Sequence, residues 1–112
     1  MSKKEENAVL EGVEESNGKK YARFSHTWES PWDEKEISVS ARFAKPNKEQ
    51  LKRMQSRATK DSQAASYNLI LDVVHSDDRE KLIANLAEYP GTILTFATAL
   101  VKAMGFSAEL GN

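Results

Sequence analysis

The sequence predicts an α+β fold, in which an N-terminal antiparallel β-hairpin is followed by about four packed helices in a single domain. Between residues 20 and 45, apolar side chains recur at every second position, a spacing typical of half-buried strands. From Pro46 onward they recur at helical spacing almost to the C-terminus. Strands that precede helices, without alternation of the two, indicate an α+β rather than an α/β architecture.

Length and composition fit a soluble domain of ordinary type. The chain has 112 residues, about the length of one domain, with 39% hydrophobic and 29% charged residues. Its net charge of −1 argues against general attraction to nucleic acid or to a membrane surface. The sequence has no cysteine, no apolar run of membrane-spanning length and no signal-like start, so we expect a cytoplasmic protein.

The first residues are predicted to lie outside the folded domain. Residues 1–19 are rich in Glu, Lys, Ser, Asn and Gly, and a segment with so few apolar side chains cannot easily offset its chain entropy. We therefore expect a mobile N-terminal segment, although "AVLEGV" has the residues for a short strand or turn. Residues 20–106 are assigned to the α+β domain and residues 107–112 to a C-terminal tail.

The hairpin is predicted from two alternating stretches. In "YARFSHTW" every second residue from Ala22 to Trp28 shares a face, and in "EISVSARFAK" the residues from Ile37 to Phe43 do the same. The linker between them contains Pro31 and Asp33, both of which favour turns. An antiparallel hairpin is the simplest arrangement of these stretches.

The first two helices have clear signals. Asn47 and Gln50 have the spacing of a capping box, and Pro46 can pack on Leu51 as a hydrophobic staple. The second helix, within "DSQAASYNLILDVVHS", is predicted to bury one stripe consisting of Tyr67, Ile70, Leu71 and Val74.

The last two helices follow without a long loop. The third, within "DDREKLIANLAEY", is predicted to turn Leu82, Ile83, Leu86 and Tyr89 inward. Pro90 suits the start of the fourth helix, and Gly105 suits its C-terminal cap. The fourth helix is apolar on more than one side, with Phe96 away from its main stripe, so we expect it to be the most buried.

A polar cluster between the second and third helices, His75–Glu80, raises the question of a metal or catalytic site. His75, Asp77 and Asp78 supply too few converging ligands for zinc, and no HExxH or Asp-rich loop accompanies them. A structural interpretation explains these residues better. Asp77 caps the third helix, and Glu80 completes a capping box. Asp78 places a negative charge in the first turn, where the helix dipole favours it, and His75 ends the second helix. We therefore predict no metal site and no cofactor.

Other catalytic motifs are missing as well. The sequence contains no phosphate-binding GxxxxGK[ST] or GxGxxG motif and no GxSxG nucleophile elbow, so we expect no enzymatic activity and assign no catalytic residue.

The first helix is basic, with six positive charges from Lys45 to Lys60 against Glu49. A small nucleic-acid-binding or adaptor domain that uses this helix is therefore the alternative, although a solvated basic face is the simpler interpretation.

Trp28 and Trp32 flank the predicted turn, where a tryptophan either closes the core or anchors a partner.

The stretches "RFAKPNKEQLKRM" and "LILDVVHSDDREKLIANLAEYPG", followed by an apolar helix that ends at Gly105, resemble the small tail assembly chaperones of tailed bacteriophages and prophages. The resemblance covers roughly residues 37 to 105, and most of the matched positions are core or cap positions. These positions are Phe43, Pro46, Leu51, Arg53, Leu71, Val74, His75, Asp77, Leu82, Leu86, Tyr89, Pro90, Gly91 and Gly105.

The resemblance implies a non-enzymatic protein of the bacterial cytoplasm that binds the tape measure protein, or a tail tube protein, during tail assembly. It supplies no binding residues, so we choose them by chemistry: aromatic and methionine side chains near element ends, and two arginines that guide an acidic client. The predicted partner-binding residues are Trp28, Trp32, Arg53, Arg57, Tyr89, Met104 and Phe106.

Overall fold

The computed structural model describes residues 8–106, and it confirms the predicted α+β class. Three antiparallel strands in the order β1-β2-β3 precede four helices. The elements are β1 (Val9–Ser16), β2 (Lys19–Ser30), β3 (Lys35–Ala44), α1 (Lys48–Ala58), α2 (Ser62–Val73), α3 (Ser76–Glu88) and α4 (Gly91–Ala103).

Strand β1 corrects the assignment of residues 1–19 to a segment outside the domain, because Val9–Ser16 pair with β2, with one shift of register between Leu10 and Gly12. The connecting residues Asn17 and Gly18 have φ angles of 53° and 76°, the left-handed pair that a tight hairpin turn requires. β1 pairs through its backbone and leaves most of its side chains exposed, so composition does not reveal it. Residues 1–7 and the predicted tail, residues 107–112, lie outside the described residues.

The β2–β3 hairpin has the predicted inward face. Phe24 pairs with Ala41 and Ala22 with Phe43, and Phe24, Ala41 and Phe43 are buried. The turn between the strands is closed by Ser30, whose hydroxyl donates to the Asp33 carboxylate at 2.7 Å and accepts from the Asp33 amide at 3.2 Å. One face of the sheet therefore forms the floor of the core.

Helices α1 and α2 pack against each other beside this core. The predicted capping box is present, since the Asn47 side chain accepts from the Gln50 amide at 2.8 Å and the Asn47 amide donates to the Gln50 side chain at 2.9 Å. The predicted single stripe on α2 is only partly right, because α2 contacts two clusters on different sides. Its fully buried residues are Ala65, Ser66, Leu69, Ile70 and Val73, whereas Tyr67, Leu71 and Val74 are partly buried.

Helices α3 and α4 complete the core. Leu82 and Leu86 of α3 are buried as predicted. Phe96 in α4 is fully buried, and α4 has more buried residues than any other helix. Its C-terminus has the double backbone hydrogen bond of a Schellman motif, formed by the amides of Gly105 and Phe106, with Gly105 at φ 97°. No helix within residues 8–106 is long and apolar enough to cross a membrane.

Candidate functional site

The His75–Glu80 cluster is a structural junction, although its cap differs from the predicted one. Helix α3 begins at Ser76, and its N-cap is His75, not Asp77. The Nδ1 atom of His75 accepts from the Asp77 amide at 3.0 Å, while Nε2 lies 2.9 Å from the Ser16 hydroxyl. The ring is 3% exposed and packs on Tyr21 at 4.6 Å between centroids. His75 therefore joins the start of α3 to the sheet.

Docking of α3 on β3 explains why the helix starts there. The His75 amide donates to the Arg42 carbonyl at 2.8 Å, and Val74 forms a β-bridge with Phe43. Asp78 accepts three hydrogen bonds from Arg42, all of 2.9 Å, two from the guanidinium and one from the backbone amide. These bonds hold the pKa of Asp78 below its usual value.

This cluster does not form a metal centre in the part of the chain that the structure describes. Residues 8–106 contain no group of three or more His, Cys, Asp or Glu side chains that could hold an ion. Both ring nitrogens of His75 already have hydrogen-bonding partners. The side chains of His75 and Asp78 are therefore accounted for by helix capping and docking, and the candidate functional site lies elsewhere.

The hairpin tip, Glu29–Glu36, is one exposed feature with binding chemistry. Trp32 within it is 90% exposed. Trp28, just before it, is instead packed on the core: its ring stacks on His26 and meets Tyr89 edge-on, each at 5.1 Å between centroids. The hairpin tip thus presents the exposed indole of Trp32, next to Trp28 and Tyr89, whose rings contact each other.

The hairpin tip is also acidic. Four of its side chains are carboxylates and one is an ammonium, namely Glu29, Asp33, Glu34, Glu36 and Lys35. Glu29 and Glu36 lie directly opposite each other in the β2–β3 register, an arrangement of like charges that weakens strand pairing. Burial raises the pKa of Tyr89 above its usual value, and the nearby charges of Asp33 and Glu88 raise it further. A cationic surface would relieve this concentration of negative charge.

An apolar groove lies at the other end of the sheet, where β1 and β2 meet the C-terminal end of α4. It has a volume of about 380 Å³. The residues that give it its apolar character are Val13, Ala22, Phe24, Phe43, Leu100 and Met104. Val13 is 61% exposed and forms one wall, whereas Phe24 and Phe43 belong to the core and form the floor. The groove therefore offers a solvent-accessible apolar surface backed by a rigid core.

Lysines border this groove. Lys20 and Lys45 line it, and they also line an adjoining concavity of about 320 Å³ together with Lys19. We refer to Lys19, Lys20 and Lys45 as the basic rim. Within residues 8–106 none of the three forms an ion pair within 4 Å, although Glu15 lies opposite Lys20 in the β1–β2 register. Their charge remains available to a partner.

The basic surface continues onto α1. The concavity beside the basic rim shares Gln50 and Asp72 with a third one of about 240 Å³ between α1 and α2. Arg53 and Arg57 line that third concavity, and Arg53 contacts Asp72 at 3.6 Å. Apolar groove, basic rim and arginines thus form one continuous surface.

The seven predicted partner-binding residues fall into two groups. Trp32 lies in the hairpin tip, and Trp28 and Tyr89 contact each other beside it. Arg53, Arg57 and Met104 line the continuous surface at the opposite end, and Phe106 follows Met104 at the end of α4 with 44% of its surface exposed. Tyr21, which lines the groove, precedes Trp28 by seven positions on β2, so these two residues are about 23 Å apart along the strand.

Sequence reasoning missed the residues that make the groove a site, above all Val13 and the basic rim. Val13 lies in a segment whose composition does not indicate a strand. Lys19 and Lys20 begin β2 and Lys45 follows β3, without any local motif that connects them. One signal was present: Asn-Gly at residues 17 and 18 is a strong indicator of a hairpin turn, and it would have placed β1 beside β2.

Comparisons with known proteins agree with the fold and leave the chemistry open. A family model described as "Domain of unknown function (DUF6848)" matches residues 15–111. No curated protein matches the sequence. The solved structure of the uncharacterised protein rbstp2171 from Bacillus stearothermophilus is similar to this chain, with a TM-score of 0.64 and 19% identity over 80% of this chain and 88% of that one. At this identity the likeness concerns the fold alone.

Proposed function

We propose that this chain, which belongs to the DUF6848 family, is a phage or prophage tail assembly chaperone that acts without catalysing a reaction. Its client would be a helical segment of a tail protein, the tape measure protein in particular, and its place of action the cytoplasm of the bacterial host. The class of client comes from the resemblance of residues 37 to 105 to such chaperones. The place of binding comes from the surface of the folded chain.

The apolar groove is the observation that carries the proposal. A helix with an apolar stripe can lay that stripe into a hydrophobic groove, a common mode of peptide recognition. The groove combines a rigid floor, formed by Phe24 and Phe43, with an adaptable wall residue, Met104. A methionine side chain adjusts to apolar partners of different shape, which suits a client with many similar stripes.

The basic rim favours an acidic client. Lys20 and Lys45 lie directly at the groove, and Arg53 and Arg57 continue the positive surface along α1. Complementary charge speeds encounter and selects orientation more than it adds affinity. A helix with an apolar stripe flanked by Asp or Glu would therefore meet both features, and shielding of that stripe would keep the client soluble until the tail tube encloses it.

Co-expression with the tape-measure product of the same locus tests the proposal. We expect more soluble client in the presence of this chain and a complex that survives purification. Val13→Glu places a charge on the exposed wall of the groove and should abolish the complex. Leu10→Glu is the matched control, since Leu10 is 54% exposed on the same strand and does not line the groove.

Equal solubility of the client with and without this chain, together with no recovered complex, would refute the chaperone proposal. A complex that tolerates Val13→Glu as well as Leu10→Glu would refute the placement in the groove and leave the chaperone role standing. The two outcomes are distinct because the first concerns the client and the second concerns the surface.

Nucleic-acid binding through the basic surface is the second candidate, because the basic rim and the arginines of α1 are contiguous. It predicts affinity for DNA or RNA that falls steeply with salt and falls again when Arg53 and Arg57 are neutralised. Fluorescence anisotropy at several salt concentrations measures both effects. Binding to oligonucleotides without binding to the tail protein would favour this candidate over the chaperone.

A further inference from the structure

We propose that the hairpin tip of one copy of this chain binds in the apolar groove of a second copy, so that the free protein associates head to tail. The two surfaces lie at opposite ends of the same sheet, and the eight positions of β2 from Tyr21 in the groove to Glu29 in the tip span about 26 Å. One copy can therefore give its tip to one neighbour and receive the tip of another. The occupant of the groove in the free protein is a second copy of the chain, whatever the identity of any client.

The shapes of the two surfaces are complementary. Trp32 projects from a closed turn with 90% of its surface exposed, which is unusual for the largest apolar side chain. The groove has a volume of about 380 Å³ and an apolar floor, enough space for one indole ring. Aromatic side chains that enter such desolvated depressions are typical anchors of protein interfaces.

The charges are complementary too. Glu29 and Glu36 oppose each other across the hairpin tip, where their repulsion weakens the strand pairing unless a cation lies between them. Lys20 and Lys45 border the groove and have no ion pair within 4 Å among residues 8–106. We therefore expect the two carboxylates to pair with the two ammonium groups when Trp32 occupies the groove.

The same charges determine the symmetry of the contact. A two-fold dimer through the tips would bring the acidic side chains of both copies together, and a two-fold dimer through the grooves would do the same with the lysines. Both arrangements are repulsive. A heterologous contact between tip and groove joins opposite charges, and such contacts continue until a ring closes or a filament forms.

Sedimentation velocity of the full chain over a range of concentrations tests the inference. At about 50 mM salt we expect assemblies that grow with concentration beyond a dimer, and at about 500 mM salt, where the charges are screened, we expect mostly monomer. Trp32→Ala should raise the dissociation constant at least roughly thirtyfold, as for a central aromatic anchor. Trp32 fluorescence in a Trp28→Phe background should shift to shorter wavelength as the assemblies form.

Charge reversal provides the sharper test. Glu29→Lys with Glu36→Lys, the inverted-tip variant, keeps two like charges opposite each other but reverses their sign. Lys20→Glu with Lys45→Glu, the inverted-groove variant, reverses the sign of the charges that border the groove. We expect each double variant alone to remain monomeric. An equimolar mixture should assemble again, because each tip then meets a groove of opposite charge.

A matched control excludes a general effect of net charge. Arg79→Glu with Lys81→Glu makes the same change in charge on exposed residues of α3, away from both surfaces. This variant should assemble alone like the unmodified chain, and its mixture with the inverted-tip variant should not form the alternating assemblies.

Three results would overturn the inference. A chain that stays monomeric at low salt up to the highest usable concentration has no such contact. Assemblies that persist with Trp32→Ala do not use the tip. Alternating assemblies of the Arg79 and Lys81 control with an equimolar amount of the inverted-tip variant, formed to the same extent as with the inverted groove, would show attraction between unlike net charges instead of a specific interface.

Discussion

The contact between Arg42 and Asp78 should contribute most of the stability of the junction between β3 and α3, and Asp78→Ala tests this. Three hydrogen bonds of 2.9 Å end on this carboxylate, and the two side chains are only 18% and 21% exposed. The alanine variant leaves the guanidinium and the Arg42 amide without their acceptor in a partly dry environment. Such a loss costs more than the removal of an exposed ion pair.

The expected magnitude follows from these contacts. Removing one partner of a charged, hydrogen-bonded pair costs about 3–5 kcal/mol when the pair is fully buried. The exposure of this pair lets water replace part of the loss, so we expect the free energy of unfolding to fall by about 2–3 kcal/mol. In a domain of this size, each kcal/mol lowers the melting temperature by about 4–8 °C, so the expected decrease is roughly 10–20 °C.

Asp77→Ala is the matched control, because it is in the same helical turn and removes the same charge near the same helix N-terminus. Its side chain is 76% exposed, so we expect a change of no more than about 0.5 kcal/mol. Urea unfolding of both variants and of the unmodified chain, with equal m-values, gives the comparison. Equal destabilisation by the two substitutions would show that helix-terminus charge, and not the contact with Arg42, stabilises the junction.

Three further predictions concern stability. Because Arg42 lowers the pKa of Asp78 in the folded state, its stabilisation should be complete above about pH 5, where the unfolded carboxylate is already ionised, and should disappear as pH falls through the lowered pKa. Urea titrations of Asp78→Ala and of the unmodified chain should converge at low pH, and a constant difference in the free energy of unfolding would contradict this. His75→Ala should lower the free energy of unfolding, measured in urea, by about 2 kcal/mol because it removes a buried N-cap. Added zinc should leave the amide chemical shifts around His75 unchanged, because both ring nitrogens already form hydrogen bonds. Trp32→Ala should change the free energy of unfolding by less than about 0.5 kcal/mol, whereas Trp28→Ala should lower it by about 3 kcal/mol, since only Trp28 packs on the core. Thermal unfolding measures both variants, and a larger loss with Trp32→Ala than with Trp28→Ala would refute the assignment of the two indoles.

The elements with a regular side-chain pattern could be predicted from the sequence. Ile37–Phe43 alternate because one face of β3 is buried, and the capping box at Asn47 is formed within a single turn of chain. Local spacing contains all the information that such elements require. Strand β1 is different, since its backbone pairs with β2 while most of its residues stay exposed, and only the Asn17-Gly18 turn indicates it in the sequence.

The start of α3 and the candidate site depend on residues that are distant in sequence. Asp77 had the better local signal for a cap, but Asp78 binds Arg42, which is 36 residues away, and this contact places His75 at the cap position. Val13 and Met104 meet in one groove although no spacing rule connects them. Local pattern gives the type of each element; which surfaces meet is decided by packing.

The junction at Arg42 also closes a loop. The Phe43–Val74 bridge, the bond from the His75 amide to the Arg42 carbonyl and the bonds from Arg42 to Asp78 fix both ends of the segment that carries α1 and α2. The entropic cost of closing a loop grows only with the logarithm of the loop's length, by about 0.6 kcal/mol for each doubling. The connection Thr59–Asp61 should therefore accept an inserted peptide at little cost, whereas the same insertion between Val74 and Ser76 would separate the two ends and open the loop.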